Sequence, residues 1–329
     1  MFPNAPTWSR AMACLLLSSV LFLCIAQADM SERPIRIGAL TTSWGPTPQT
    51  VGIRDGLLAL GYREDEHFVI GIRFTQGDLS ALPGAARELV QQGADIILTA
   101  EGEPAQAAQQ ATSQIPIVFT AVSNPVELGL VESFARPGGN ITGVTDLGTD
   151  LNPKRLELFQ STVPMLRRVF VPYEATSARV MKEMGRVRQA ARLLGIELIE
   201  RGIRSQTEAR TALAQIRKDQ VDGILVLRCC AFNIPGFALA AATEQKIPAM
   251  FEAAFWTERG ALLSYGPDYY ASGQQAARLV DKIIKGAKPA ELPVEVNNRI
   301  EFAINLKTAK DLGLTIAPEV LYQADRIIR

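Results

Sequence analysis

Residues that could bind a small molecule follow short apolar segments of this chain, at the points where strands of a sheet are predicted to end. In an open α/β sheet, ligands bind in the crevice outside the carboxyl ends of the strands. The candidate binding residues are Thr41, Thr42, Trp44, Glu101, Gly102, Ser123, Asn124, Tyr173, Arg228, Glu252, Tyr265 and Asp268.

The types of these residues suit a small zwitterionic or amide-bearing ligand. Helices that begin after Thr42 and Ser123 would hold a carboxylate through backbone N–H groups and hydroxyls. Glu101, Glu252 or Asp268 would accept hydrogen bonds from an ammonium group. The pattern therefore favours recognition of both charges of one small molecule.

Several candidates also have a purely structural interpretation. Trp44 or Tyr173 would stack on a ligand ring or ammonium group, yet Trp44 could equally cover the hinge or face solvent. Arg228 and Glu252 could pair with each other. Asp268 could simply cap the helix that follows it, which is the more common role of such a residue.

Catalytic and metal-binding motifs are not evident in the chain. The single histidine, His67, follows a charged run that is typical of a solvated loop. Cys229 and Cys230 have no histidine near them in sequence, and no Walker-type loop or Gly-x-Ser-x-Gly motif is present. We therefore expect no cofactor, no metal and no enzyme activity, although two acids meeting in the fold would keep an exported enzyme as an alternative.

Strand and helix patterns alternate along the chain and define the elements that must position the candidates. The predicted strands are 34–40, 68–74, 95–99, 116–120, 141–144, 168–171, 196–200, 223–227 and 249–251. The predicted helices are 49–60, 81–92, 104–111, 175–194, 207–218, 236–244 and 268–285, and residues 302–312 form a strand followed by a helix. This alternation predicts an α/β fold with two doubly wound, Rossmann-like lobes whose sheets are mostly parallel.

The segment 123–144 has the most specific pattern. Asn124 and Pro125 form a turn that favours the start of a helix. Leu128, Val131 and Phe134 lie at helical spacing on one face, so a helix is predicted here before a Gly-rich break.

The N-terminus predicts export. Arg10 precedes an apolar run at 11–25 of ~15 residues, short of the roughly 20 that span a bilayer. The small-x-small pattern at 26–28 favours a signal peptide cleaved after residue 28, and hence a periplasmic protein. Lipidation at Cys24 is the minor alternative.

The remaining 301 residues (329 less 28) suit two domains and carry 33 basic against 34 acidic residues, so no basic field exists to hold nucleic acid. Cys229 and Cys230 are the cysteines left after cleavage. They are either two small, partly buried residues or a vicinal disulfide of unusual geometry.

The segment 123–144 also resembles a known family. It is similar to Asp-Pro-Val, Gly-Leu-Val and Ala-Arg-Pro-Gly-Gly-Asn-x-Thr-Gly-Val in the TrpX-like and uncharacterised group of ABC-transporter substrate-binding proteins, which have the type 1 periplasmic-binding fold. Further similar segments are 56–62, 111–118, 263–266, 286–294 and 304–314. The resemblance covers nearly all of the chain after the predicted signal peptide.

The resemblance implies a two-lobed protein with a three-strand hinge. Lobe one would comprise 29–145 plus 266–292, and lobe two 146–265 plus 293–329, with crossings near 143–150, 259–267 and 292–302. It implies a monomer that captures a small molecule, amino acid-like or aromatic, and delivers it to an ABC permease. An exported sensory or receptor module is the alternative function.

Two departures from the family bear on the ligand. Asn124 stands where the family has Asp, and residues 229–233 replace a more polar, acidic loop. Some family members are thought to bind aromatic amino acids. These departures favour a less cationic or more apolar ligand.

Overall fold

The computed structural model describes residues 33–146, 151–228, 232 and 234–329. Its strands are β1 (Ile35–Thr41), β2 (Phe68–Phe74), β3 (Ile96–Ala100), β4 (Ile117–Val122), β5 (Ile141–Asp146), β6 (Arg168–Glu174), β7 (Glu197–Ile203), β8 (Gly223–Leu225), β9 (Ala249–Phe251), β10 (Leu263–Pro267), β11 (Glu295–Asn297), β12 (Ile300–Asn305) and β13 (Arg326–Ile328). Its helices are α1 (Pro48–Ala59), α2 (Leu82–Gln91), α3 (Gly102–Ala111), α4 (Asn152–Thr162), α5 (Ala178–Leu194), α6 (Gln206–Ala214), α7 (Ile234–Gln245), α8 (Ala254–Glu258), α9 (Tyr269–Ile284), α10 (Leu306–Asp311) and α11 (Pro318–Tyr322).

The strands form two sheets, which define two lobes. The first lobe contains a six-stranded sheet in the order β11-β5-β4-β3-β1-β2, in which the paired strands are parallel. The second lobe contains a seven-stranded sheet in the order β13-β12-β10-β9-β8-β6-β7, in which β10 and β12 pair antiparallel. This architecture confirms the predicted α/β fold with two doubly wound lobes.

Both faces of each sheet are covered, as the apolar composition of the strands predicts. Adjacent residues on a strand enter different cores because strand side chains alternate between faces. Ile97 and Leu98 of β3 belong to two separate hydrophobic clusters of the first lobe. Val169 and Phe170 of β6 divide in the same way in the second lobe.

Local capping residues define the ends of the helices that flank the cleft. Thr47 caps α1 through a reciprocal capping box with Thr50, and Pro48 occupies the first turn. Ser177 caps α5 by accepting from the N–H of Val180, and Gly195 ends that helix in the left-handed conformation at φ 65°. The first turns of these helices therefore lie just beyond strand ends.

The chain passes between the sheets three times: from β5 to α4, from β10 to α9 and from β11 to β12. The strand β11 pairs with β5 in the first sheet. Residues 295–297 therefore lie in the first lobe, whereas the sequence-based division assigned them to the second. A strand of three residues leaves no periodic pattern long enough to assign it in advance.

The helix predicted after Pro125 is wrong. Residues 125–129 form a turn in which the N–H of Leu130 bonds Pro125 O at 2.9 Å. Gly129 then takes a left-handed conformation at φ 68°, which ends the turn. Val131 is buried, whereas Phe134 is exposed. The residues of the predicted apolar face therefore do not pack together on one side of a helix. The other predicted helices are present, and α4, α8 and α11 were not predicted.

Candidate functional site

A cavity of about 630 Å³ lies between the lobes at the carboxyl ends of the strands. We call it the inter-lobe cavity. Six sequence-predicted candidates line it: Thr42, Glu101, Gly102, Ser123, Asn124 and Arg228. From the second lobe it is also lined by Glu174, Ala178, Arg179, Lys182, Glu183 and Arg186. The cavity therefore has polar walls of both charge signs.

The first-lobe wall is built on the ends of β3 and β4, where two residues adopt left-handed backbone conformations. Glu101 has φ 83° and Ala121 has φ 59°. Non-glycine residues in this region are strained, and such strain concentrates at functional sites. The Thr42 hydroxyl donates to Glu101 Oε2 at 3.0 Å, which ties the end of β1 to the end of β3.

Arg228, three residues beyond β8, reaches from the second lobe into the first. Its Nη1 donates to Asp146 Oδ1 at 2.7 Å and to Ser123 Oγ at 3.0 Å, and its Nη2 donates to Ala121 O. Its guanidinium carbon lies 5.6 Å from the ring centroid of Tyr269. Burial is the largest single influence on the pKa of Arg228 and lowers it, but Asp146, Tyr269 and Glu101 together outweigh burial and raise the pKa.

The second-lobe wall consists of one face of α5 and the end of β6. Arg179, Lys182 and Arg186 recur at helical spacing along the cavity. Glu183 lies buried behind them and accepts from Arg179 Nη1 at 2.8 Å and Asn152 Nδ2 at 3.2 Å. Burial nevertheless raises the pKa of Glu183.

Glu174 is a cavity residue that the sequence reasoning missed. The predicted strand ended at Val171, and Tyr173 was chosen because it follows that strand end. The strand continues to Glu174, and that carboxylate lines the cavity while Tyr173 packs against the cores of the second lobe. The alternation of side chains along a strand carries the signal, but using it requires the correct strand end.

Three other first-lobe and hinge candidates lie outside the inter-lobe cavity. Thr41 is buried in β1, where its hydroxyl oxygen accepts from the N–H of Ser43. Trp44 is 51% exposed. Asp268 caps α9 by accepting from the N–H of Ala271 at 2.9 Å, and it borders a separate hinge-side cavity of about 420 Å³.

Two second-lobe candidates have structural contacts. Glu252 is buried, and its Oε1 accepts from Trp256 Nε1 at 3.0 Å. Burial raises the pKa of Glu252 to about 7. Tyr265 packs edge-on against Phe302, with ring centroids 6.3 Å apart. The alternative that Arg228 pairs with Glu252 is wrong, since Arg228 pairs with Asp146.

Some sequence predictions concern residues outside the part of the chain that the structure describes. These are the signal peptide at 1–28, with Cys24, and the pair Cys229 and Cys230. Within 33–146, 151–228, 232 and 234–329, no helix has the length and apolarity needed to cross a bilayer. The same residues contain no group of three or more His, Cys, Asp or Glu side chains arranged to hold a metal ion.

Comparison with known proteins assigns this chain to a family. The family described as "ABC transporter substrate binding protein" matches residues 46–328. A tyrosine-binding protein of Clostridioides difficile (strain R20291) is 30% identical over 259 residues, which cover 77% of this chain and 73% of that protein.

Two solved structures are similar to this chain in fold and match it over most of its length. A conserved domain protein from Vibrio cholerae O1 biovar El Tor is 30% identical with a TM-score of 0.77, covering 90% of this chain and 100% of that one. An ABC domain from Streptococcus pneumoniae, in complex with L-Trp, is 26% identical with a TM-score of 0.76 and the same coverage. The chain therefore belongs to the ABC transporter substrate-binding protein family.

Proposed function

We propose that this protein is the periplasmic solute-binding component of an ABC importer, which captures an amino acid-like or aromatic small molecule and delivers it to a permease in the inner membrane. The observation that carries the proposal is the inter-lobe cavity, in which both lobes contribute charged side chains at strand ends. A ligand that contacts both lobes stabilises the closed form in proportion to its preference for that form.

The residues of the cavity support a zwitterionic ligand with an apolar side chain. Glu101 and Glu174 offer acceptors for an ammonium group, while Lys182 offers a cation for a carboxylate. Leu79 and Leu128 supply apolar surface on the first-lobe side. Relatives described as binding tyrosine and L-Trp carry ligands of this chemistry.

Asn124 sits on the cavity wall but is engaged in its own turn. Its Nδ2 donates to Glu127 Oε2 at 2.7 Å, and its Oδ1 accepts from the N–H of Glu127 at 3.2 Å. An aspartate here would place a second carboxylate against Glu127. The neutral side chain keeps this part of the wall less negative, which supports a ligand of no net positive charge.

Membership of a substrate-binding family supports capture without chemical change. The predicted signal peptide at 1–28 supports action in the periplasm, and a single chain supplies both walls of the cavity. We therefore propose that a monomer binds and releases its ligand unaltered.

A ligand screen by calorimetry and thermal unfolding tests the function. The panel comprises the L-amino acids, indole and phenolic acids, nucleosides and small sugars. A ligand present at 100 times its Kd should stabilise the protein by ~2.7 kcal/mol. Chromatography of the released molecule should recover it unchanged, and turnover of any bound compound would instead indicate an enzyme.

Comparison of two variants tests whether the ligand binds in the inter-lobe cavity. Ser123→Leu removes a hydroxyl from the cavity wall and fills part of the space, so it should abolish the thermal shift. Ser113→Leu, at an exposed position of the same lobe, is the control and should leave the shift intact. Absence of binding by every compound in the panel would overturn the proposed function.

A further inference from the structure

Glu174 has an environment that the rest of the cavity wall does not share. It ends β6, it is 9% exposed, and it lines the inter-lobe cavity. Its Oε1 accepts from the Thr176 hydroxyl of its own loop at 3.1 Å. Among the residues that the structure describes, no cationic side chain forms a hydrogen bond or ion pair with it.

Two cations that line the cavity, buried Arg228 and exposed Arg179, already have carboxylate partners. Arg228 pairs with Asp146 at 2.7 Å. Arg179, which lies close enough to favour the charged form of Glu174, directs Nη1 to Glu183 Oε1 at 2.8 Å. Glu174 is thus a buried carboxylate that faces open volume, and burying a charge without a partner is costly.

Two carboxylates on the first-lobe wall of the cavity increase the free-energy cost of burying the Glu174 charge. Glu101, between β3 and α3 of the first lobe, and Glu103, in the first turn of α3, lie close enough to act electrostatically on Glu174. Like charges that face each other across a partly desolvated gap repel more strongly than they would in water. A cation placed between them would convert this repulsion into attraction from both lobes.

We infer that Glu174 is the specificity-determining residue that receives the ammonium group of the bound solute, with Glu101 and Glu103 facing it from the first lobe. The inference rests on the proposed function and deepens it by assigning one end of the ligand to one side chain. Glu174 is nine-tenths buried, lines the cavity and forms no hydrogen bond or ion pair with a cation among the described residues, so the ammonium group of a ligand would supply that partner.

This assignment couples recognition to closure. In the unliganded protein the carboxylates of the two lobes oppose approach, and an ammonium group held by Glu174 removes that opposition. A solute that has the same ring and carboxylate but lacks the amine should bind weakly, because it leaves Glu174 buried without a cation.

The test compares Glu174→Gln with the wild-type chain by calorimetry. The probes are L-tyrosine, L-tryptophan and their deaminated counterparts, 3-(4-hydroxyphenyl)propionate and indole-3-propionate. Loss of a hydrogen bond to a charged group should weaken binding of the amine-bearing probes by about 10- to 100-fold. Glu197→Gln, the same change at an exposed residue at the opposite end of the neighbouring strand β7, should not change affinity.

The folded state of each variant is checked by circular dichroism and thermal unfolding. Because Glu174→Gln preserves shape and removes a buried charge, its melting midpoint should equal or exceed that of the wild-type chain. Equal affinity of variant and wild type for the amine-bearing probes would overturn the inference. So would equal affinity of the wild type for amine-bearing and deaminated probes.

Mass spectrometry of solute retained by the purified protein separates this inference from the proposed function. A retained molecule with an amine in the wild type, lost in Glu174→Gln, supports both. A retained molecule without an amine overturns the role of Glu174 and leaves the proposed function standing. If nothing is retained and no probe binds, the proposed function fails, and the inference fails with it.

Discussion

Glu252 is a carboxylate whose protonation should be linked to folding. Its side chain is buried between α4, α8 and α9, and Oε2 has no hydrogen-bond partner among the described residues. The charged or polar groups that act on it are Arg155, Arg228, Trp256 and Tyr269. Burial raises its pKa from 4.5 to about 7. The folded state therefore binds this proton more tightly than the unfolded chain does.

The sign of the pH dependence follows from linkage. For a carboxyl group with a raised pKa, the stabilisation is fully present below about pH 4.5 and is lost as pH rises to about 7. Glu252→Gln removes this pH-dependent contribution to the free energy of unfolding. Its free energy of unfolding, relative to wild type, should rise by on the order of 2–3 kcal/mol between pH 4.5 and 8.

Urea unfolding of both proteins across this pH range measures the difference. Taking the variant against the wild type cancels the titration of the remaining acids. Trp256 donates to Glu252, so its fluorescence should also change with pH in the wild type and not in the variant. A pH-independent difference in stability would contradict the prediction.

For individual residues, the sequence predicted the position of the cleft from the predicted ends of the strands. Thr42, Glu101 and Ser123 line the cavity because the carboxyl ends of parallel strands share one edge of a sheet. The same rule placed Tyr173 one residue short of Glu174, since the end of β6 depends on pairing with β7 along its whole length. The roles of these residues in ligand binding stay predictions.

α9, with which the chain returns to the first lobe, packs closely against α1. Gly52 of α1 lies against Tyr270 O, so a Cβ at Gly52 would overlap that backbone oxygen. Gly273 of α9 lies equally close to Gln49 O. Two helices can approach this closely only where side chains are absent, and backbone atoms cannot move aside as a flexible side chain can.

Gly52→Ala should therefore lower the free energy of unfolding by about 1–3 kcal/mol, despite the higher helix propensity of alanine. Gly185→Ala is the matched control because Gly185 is exposed in the middle of α5, with open space at its Cβ position. In the control variant, the free energy of unfolding should rise by about 0.5–1 kcal/mol. Chemical unfolding measures both, and a stabilising effect at Gly52 would show that the helices are not in close contact.

The segment after Pro125 shows why element prediction failed in one place. Asn124, Pro125 and the apolar spacing are compatible with a helix start, but Gly129 takes a left-handed conformation after a single turn. The choice between helix and turn depends on what the apolar side chains contact. Leu130 and Val131, which follow the turn, are buried in the core beside β4.

Arg228 joins the two lobes of the whole molecule. Its bonds to Ala121 O and Ser123 Oγ cross the cleft, and its ion pair with Asp146 lies at the first crossing of the chain. The side chains of the pair are 7% and 0% exposed, so the charges are desolvated. Removal of one partner leaves the other charge buried, which is more costly than loss of a surface pair.

Arg228→Ala should lower the free energy of unfolding by about 3–5 kcal/mol. It should also increase the radius of gyration in small-angle scattering, because the cross-cleft bonds that favour the closed arrangement are lost. Arg188→Ala removes a bidentate pair with Glu200 on the surface of the second lobe and should cost less than about 1 kcal/mol. Equal effects of the two variants would mean that Arg228 does not hold the lobes together.

The sequence by itself determined the alternation of strands and helices, the two-lobed α/β class and the family. These depend on hydrophobic periodicity and on local turn residues, which act over a few positions. Tertiary structure alone decided that Arg228 meets Asp146, 82 residues away, and that Glu174 lines the same cavity as Glu101 and Glu103. Such contacts depend on how one lobe lies against the other, which no local pattern records.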